Sequence, residues 1–189
     1  LKRQVVAIDC DGVIVDNIPV WDRYISEGRC GVKHAVVYDP TDWDRYGKIC
    51  KECFHECLTN PNLLYVQTPR PDAGYFLGVL SSVFDLWLVT ARPKGTETVT
   101  ADWLFLNGLD RHFVGMVYEG NKKEFCEKVG AIALLEDAAH NLEPLIGSGV
   151  HPICWNQPYN QKLTGLTRVN SWAEATKAIF NVASGRVPT

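Results

Sequence analysis

The 189-residue chain has no run of 18 or more apolar residues, so none of it reads as a transmembrane helix and no membrane partner is expected. It carries no excess of positive charge. Nineteen Lys and Arg stand against 22 Asp and Glu, for a net charge of −3. That excludes a strongly basic binder of nucleic-acid polymers but leaves room for a local basic pocket. A secretory leader is not expected, because the apolar residues Val5 to Ile8 are too few for a signal peptide's apolar region. Internal repeats and low-complexity segments are lacking too. Cysteine is not scarce. There are seven, an odd number with no leader before them, and they read as reduced thiols of a cytoplasmic protein. What remains is a globular balance, 46% hydrophobic and 22% charged, in a length that fits one domain with a modest insertion.

Five apolar runs read as strands. Val5 to Ile8 ends in Asp9-Cys10-Asp11-Gly12, and Leu86 to Val89 ends in Thr90-Ala91-Arg92-Pro93. Val114 to Tyr118 ends in Glu119-Gly120, Ala131 to Leu135 ends in Glu136-Asp137, and Val150 to Trp155 is less regular. Continuous apolar runs suit strands buried on both faces. Helical patterns alternate with them: Asp72 to Val83, Thr96 to Leu106 with its stop at Asn107-Gly108, Lys122 to Val129 before Gly130, Ala138 to Ile146 before Gly147, and a last helix from Ser171 to about Ala183. Ser171 with Glu174 makes a capping-box pattern. The alternation predicts an α/β Rossmann-like three-layer sandwich around a central parallel sheet. Ligands of such sheets bind outside the carboxyl ends of the strands, so the polar residues at four strand ends should converge on one crevice.

Residues 17–69 break the alternation and are too long for a plain loop. They hold seven aromatics (Trp21, Tyr24, Tyr38, Trp43, Tyr46, Phe54 and Tyr65). A helix is predicted from Asp39-Pro40, with Trp43, Tyr46, Cys50, Cys53, Phe54 and Cys57 at the spacing of one face and a stop at Thr59-Asn60-Pro61. The expected organisation is a core of residues 1–16 and 70–189 with a small helical cap, 17–69, over the crevice. Cys50, Cys53, His55 and Cys57 offer zinc-ligand types. A lone Cys-x-x-Cys is a weak signal, His55 falls on another face, and buried thiols packing as small apolar groups are the expected state.

Asp9 and Asp11, two residues apart at a strand end, have no basic neighbour in sequence, so their repulsion calls for a cation. Asp137 supplies a third carboxylate. An oxygen-only cluster suits Mg²⁺, which often bridges to a substrate phosphate. Thr90 and one of Lys122 or Lys123 add a hydroxyl and a positive charge, and the set describes phosphoryl transfer. Thr90 alternatively caps the next turn. Arg92 binds a substrate phosphate or forms a surface ion pair. Glu136 is an orienting group or a water-facing acid. Cys10, between the two aspartates, should point away from the site.

These residues resemble the haloacid dehalogenase (HAD) superfamily. Val5-Val6-Ala7-Ile8-Asp9-Cys10-Asp11-Gly12-Val13 looks like its motif I, and Leu88-Val89-Thr90-Ala91-Arg92 like motif II. Lys122, at the start of a helix, looks like motif III, and Leu134-Leu135-Glu136-Asp137 like motif IV. The resemblance implies Asp9 as the nucleophile that becomes an aspartyl-phosphate, and Asp11 as the acid that protonates the leaving oxygen and then activates water. It implies Mg²⁺ held by Asp9, Asp137 and the backbone carbonyl of Asp11. Thr90, Ala91, Arg92 and Lys122 would seat the substrate, with Lys122 pairing with nucleophile and phosphate. Asn141, where the family often has an acid, would reach the metal only through water. Compact size, Thr-Ala-Arg, the Glu136-Asp137 pair and Pro158-Tyr159-Asn160 are similar to the 5′(3′)-deoxyribonucleotidase-like branch. The expected substrate is therefore a small phosphorylated metabolite, a nucleoside monophosphate first and a sugar phosphate second. Two readings of other classes are a receiver-type phosphoacceptor, for which no Asp ends the Leu86 or Val114 run, and a silent phosphate-binding domain, which the intact five-residue set opposes.

Overall fold

The apolar strand runs pair into a six-stranded parallel sheet in the computed structural model, which describes residues 2–27 and 51–186. In chain order the strands are β1 (Val5–Ile8), β2 (Val15–Asp16), β3 (Thr68–Pro69), β4 (Asp85–Thr90), β5 (Phe113–Tyr118), β6 (Ala131–Glu136), β7 (His151–Trp155) and β8 (Thr167–Val169). The helices are α1 (Ile18–Ser26), α2 (Lys51–Thr59), α3 (Pro61–Tyr65), α4 (Ala73–Val83), α5 (Glu97–Leu106), α6 (Lys122–Val129), α7 (Ala139–Leu142) and α8 (Trp172–Ala183). The sheet order is β5-β4-β1-β6-β7-β8. From β1 the chain builds outward through β4 and β5, then returns to lay β6 on the other side of β1. The direction of winding therefore reverses between β1 and β6. In sheets of this kind ligands bind at such a switch point, outside the carboxyl ends of the strands.

Strand periodicity divides the core into two layers. In β1, Val6 and Ile8 join Leu77, Leu80, Leu86, Leu88 and Trp103 on one face, while Val5 and Ala7 join Val89, Leu134 and Cys126 on the other. Ile8, Leu88 and Leu135 are wholly buried, and each such side chain contributes about 1.5–3 kcal/mol by leaving water. With helices covering both faces, the three-layer sandwich is the observed fold.

Three elements differ from expectation. The helix expected over Ala138 to Ile146 stops at Leu142 and gives way to a 3₁₀ turn, Glu143–Leu145. Pro144 sits in that turn and has no N–H to donate to a carbonyl one turn back, so the helical ladder is interrupted there. β8 is three residues long, too short to show a period. β2 and β3 form a separate antiparallel ribbon, with Val15 opposite Pro69 and Asp16 opposite Thr68. The chain thus leaves β1 and returns to α4 along paired strands.

The helix expected from Asp39 is described only from Lys51, as α2, and it ends at Thr59 before Asn60-Pro61 as the sequence indicates. Asn60 caps α3, its side chain accepting from the Asn62 N–H at 3.0 Å. Tyr38, Trp43, Tyr46 and Cys50 lie outside the described residues, as do the side chains of Cys53 and Phe54. Cys57 is buried and His55 exposed, so these two do not share an environment.

Candidate active site

Three sequence-distant segments meet where the winding reverses. Asp9 follows β1 directly and is still tied to the sheet, its N–H donating to the Leu135 carbonyl at 2.9 Å. Glu136 ends β6 and Asp137 follows it. Lys122 opens α6, whose start is fixed by the Asn121 side chain accepting from the Glu124 N–H. That placement aims the ammonium inward, leaving Lys122 only 2% exposed. Its Nζ donates to Asp9 Oδ1 at 2.5 Å and to Glu136 Oε2 at 2.6 Å. Lys123 instead faces water at 38% side-chain exposure and pairs with Glu127 one turn on. Of the two candidate lysines, Lys122 is the one in the cluster.

Glu136 is an orienting group, not a water-facing acid. Its Oε1 accepts the N–H groups of Asp137 and Ala138, both at 2.9 Å, and its Oε2 accepts from Asn141 Nδ2 at 3.0 Å as well as from Lys122. Burial works to raise this carboxyl. The Lys122 charge and the hydrogen bonds outweigh burial and hold the pKa down at about 2. Asn141, expected to reach a metal only through water, gives its Nδ2 donor to Glu136.

Asp9 and Asp137 go the other way. Burial first, then the negative charge of Glu136, pushes both carboxyls well above the ordinary carboxylate range; Asp9 also raises Asp137. Lys122 opposes this at Asp9 without overcoming it, because Glu136 shares the same ammonium. Lys122 itself is raised: burial lowers it, and the two carboxylates more than compensate, so it stays charged.

Carboxylate oxygens of Asp9, Glu136 and Asp137 lie within 4.8 Å of one another. Four carboxylates, counting Asp11, face two cations, Lys122 and Arg92. Glu136 spends both oxygens on protein donors, whereas Asp9 and Asp137 each keep one oxygen without a protein donor among the described residues. Residual buried negative charge and an all-oxygen donor set fit a hard divalent cation.

The loop after Asp11 closes onto this cluster. Gly12 has φ 77°, and a Cβ there would fall 1.8 Å from Asp137 Oδ2, so only glycine fits. Its carbonyl accepts from Arg70 Nε at 3.1 Å and Gln157 Nε2 at 2.8 Å. Tyr159 donates its hydroxyl to Asp137 Oδ2, and Asn160 Nδ2 donates to the Asp137 carbonyl at 2.8 Å.

Thr90 ends β4 and is buried. Its hydroxyl oxygen accepts from the Arg92 N–H at 3.2 Å, so the turn-capping contact forms, and the hydroxyl proton remains available to another acceptor. Ala91 is exposed just beyond it. Arg92 does not form a surface ion pair: it is buried, with Nε and Nη2 on the two oxygens of Asp11, each at 2.8 Å. A guanidinium beside a strand end reaches inward when a carboxylate waits there, which local sequence does not show. Cys10 points into the core, and burial pushes its thiol up to about 12.

The sequence pattern passed over Gln157, Asn160 and the hydroxyl of Tyr159 as site residues. A signal existed. β7 is the neighbour of β6, and its end, Trp155-Asn156-Gln157, carries polar residues like the other four. Asn17 and Gln67, which flank the β2–β3 ribbon and reach the Asp11 environment, had no such signal.

A parallel sheet with its acidic cluster at the reversal point, a buried lysine between two carboxylates and a threonine at the next strand end define a hydrolase of the HAD superfamily. In agreement, the solved structure of a haloacid dehalogenase-like hydrolase from Streptococcus pneumoniae superposes with a TM-score of 0.64 at 12% identity, covering 93% of this chain and 97% of that one. More specifically, residues 3–185 match the family described as 5′ nucleotidase, deoxy (Pyrimidine), cytosolic type C protein, and the chain belongs to it. Two bacterial proteins, each named "putative nucleotidase", are similar. That of Bacillus cereus is 33% identical over 94 residues, 48% of this chain and 49% of that protein. That of Halalkalibacterium halodurans is 24% identical over 181 residues, 92% and 91% of the two chains.

Proposed function

We propose that the protein is a Mg²⁺-dependent phosphomonoester hydrolase that works through an aspartyl-phosphate and takes a nucleoside monophosphate as substrate. One observation carries it: Lys122 neutralises Asp9 on one side only, while burial and two further carboxylates leave that cluster short of positive charge. Such a site binds a cation and a phosphate together better than either alone.

Asp9 is the nucleophile. Asp137, the free oxygen of Asp9 and the backbone carbonyl of Asp11 hold Mg²⁺, which supplies charge neutralisation for the transferring phosphoryl group. Lys122 holds the nucleophile's carboxylate in place and offers its remaining N–H to a phosphate oxygen. Thr90 and the exposed backbone at Ala91 seat the same phosphate. Asp11 gives its proton to the leaving oxygen and later takes one from water. Residues 17–69 form the cap and residues 1–16 with 70–189 the core; the β2–β3 ribbon at the junction supports that division. The nucleotidase names of the similar proteins and the family's description support a nucleoside monophosphate, with pyrimidine deoxynucleotides the first to test. The description's "cytosolic" and the free, buried thiols of Cys10, Cys126 and Cys154 support a cytoplasmic location. Among the described residues no helix is long and apolar enough to cross a membrane.

Phosphate release with Mg²⁺ across nucleoside monophosphates and sugar phosphates tests the substrate class. Nucleoside monophosphates should rank first, and a ranking below sugar phosphates overturns the nucleotidase assignment. Asp9→Asn should lower turnover by about a thousandfold or more. Undiminished turnover excludes Asp9 as nucleophile.

A further inference from the structure

Asp11 is gripped in an unusual way for a group expected to shuttle protons. Arg92 gives it two bonds of 2.8 Å, Nε to Oδ2 and Nη2 to Oδ1, a fork that sets a carboxylate's plane as well as its position. Arg92 is locked in turn. Its Nη1 donates to Thr100 Oγ1 at 3.0 Å and its Nη2 to Gln67 Oε1 at 3.1 Å. Trp103 Nε1 fixes the Gln67 backbone by donating to its carbonyl at 2.9 Å. Asn17 Nδ2 adds a longer contact to Asp11 Oδ1, 3.3 Å. Four of the guanidinium's five N–H donors are thereby committed, on a side chain 1% exposed, which leaves little for a substrate.

We propose that Arg92, braced by Gln67 and Thr100, is a positioning residue that fixes the Asp11 carboxyl for proton transfer and does not bind the substrate phosphate. This rests on the roles of Asp9 and Asp11 given above. In the first half-reaction a bond forms between an Asp9 oxygen and phosphorus. The bond from phosphorus to the leaving oxygen breaks, and that oxygen keeps the electron pair and takes the proton of Asp11. In the second, a water oxygen bonds to phosphorus, a water proton passes to Asp11, and the bond to Asp9 breaks to release inorganic phosphate. Both transfers need one Asp11 oxygen within hydrogen-bond reach of one reacting oxygen, and a misplacement of about 1 Å costs on the order of 100-fold in rate.

The test is kcat/KM, which reports the first half-reaction, for aryl phosphates graded from p-nitrophenyl to p-methoxyphenyl phosphate with Mg²⁺ present. A p-nitrophenolate leaves without a proton, and a more basic phenolate does not. Arg92→Lys should lose about tenfold or less on p-nitrophenyl phosphate and about 100-fold more on p-methoxyphenyl phosphate, as general-acid contributions imply. Gln67→Leu, which leaves the guanidinium in place with Thr100 as its one remaining brace, should steepen the same dependence by less. An equal loss across the series marks general damage, and a loss confined to KM marks a phosphate contact; either overturns the proposal. If Arg92→Lys fails to melt cooperatively, Gln67→Leu decides, and an unchanged slope overturns it. Asp9→Asn measured in parallel separates the two claims. Surviving turnover there removes the nucleophile assignment, whereas an inactive Asp9→Asn beside a flat Arg92→Lys response overturns only the role of Arg92.

Discussion

At Lys122 one ammonium lies between two buried carboxylates, 2.5 Å from Asp9 and 2.6 Å from Glu136. Removing it leaves like charges facing each other out of water. Lys122→Met should therefore cost about 3–5 kcal/mol of stability as well as turnover, read from the shift of the urea midpoint at unchanged m-value. A midpoint within experimental error of the wild type would mean the carboxylates are not the charged neighbours described. The candidate residues Asp9, Asp11, Thr90, Lys122 and Asp137 were legible because each stands at an element boundary that periodicity marks. The partnerships were not. That Arg92 turns to Asp11 and Asn141 to Glu136 depends on contacts between segments 81 and five residues apart in sequence, and no local pattern records which donor meets which acceptor.

Among the elements, the β2–β3 ribbon was invisible in sequence, since two two-residue strands have no period to detect. Its pairing has a consequence. Val15 to Pro69 and Asp16 to Thr68 are in the register of a hairpin, so residues 17–67 can be replaced by a two-residue Asn-Gly turn. The shortened chain should keep the circular dichroism and cooperative melt of the α/β core while losing at least tenfold in turnover of p-nitrophenyl phosphate, as the proposed role of this segment as a water-excluding cap implies. Full activity would show that the insertion does not serve the site, and loss of cooperative melting would show that it belongs to the core. The shortening of the helix after Asp137 was readable in principle, because Pro144 lies inside the apolar pattern. Apolar spacing alone carried the expectation past it.

For the whole molecule, the acidic cluster couples stability to pH and, through the proposed Mg²⁺ site, to metal. Asp9 and Asp137 hold their protons more tightly folded than unfolded, so in metal-free protein their contribution is complete below the ordinary carboxylate value of 3.8 and is lost as pH rises toward their elevated values. Glu136 has the opposite sign: its contribution is present above 4.5 and lost as pH falls through about 2. At the proposed site Mg²⁺ would compete with the protons on Asp9 and Asp137. At a concentration about 100-fold above its dissociation constant it should raise the melting temperature by roughly 5–10 °C at pH 8. The rise should be smaller at pH 5. Scanning calorimetry with and without the ion at both pH values checks this, and an equal or larger rise at pH 5 would remove the cluster as the binding site.

Five apolar runs with helical patterns between them were enough to specify a parallel α/β sheet. Strand and helix periods are local properties, and burying both faces of such a sheet admits few arrangements. The positions of the chemically equipped residues followed from the same periods, because they interrupt them. Only the folded chain decided that β6 returns beside β1 rather than outside β5, which is what brings Glu136 and Asp137 to Asp9. It also decided which of two adjacent lysines turns inward and which carboxylate the arginine serves. Those choices are settled by desolvation and charge pairing between segments far apart along the chain, where energy depends on distance in space and not on spacing in sequence.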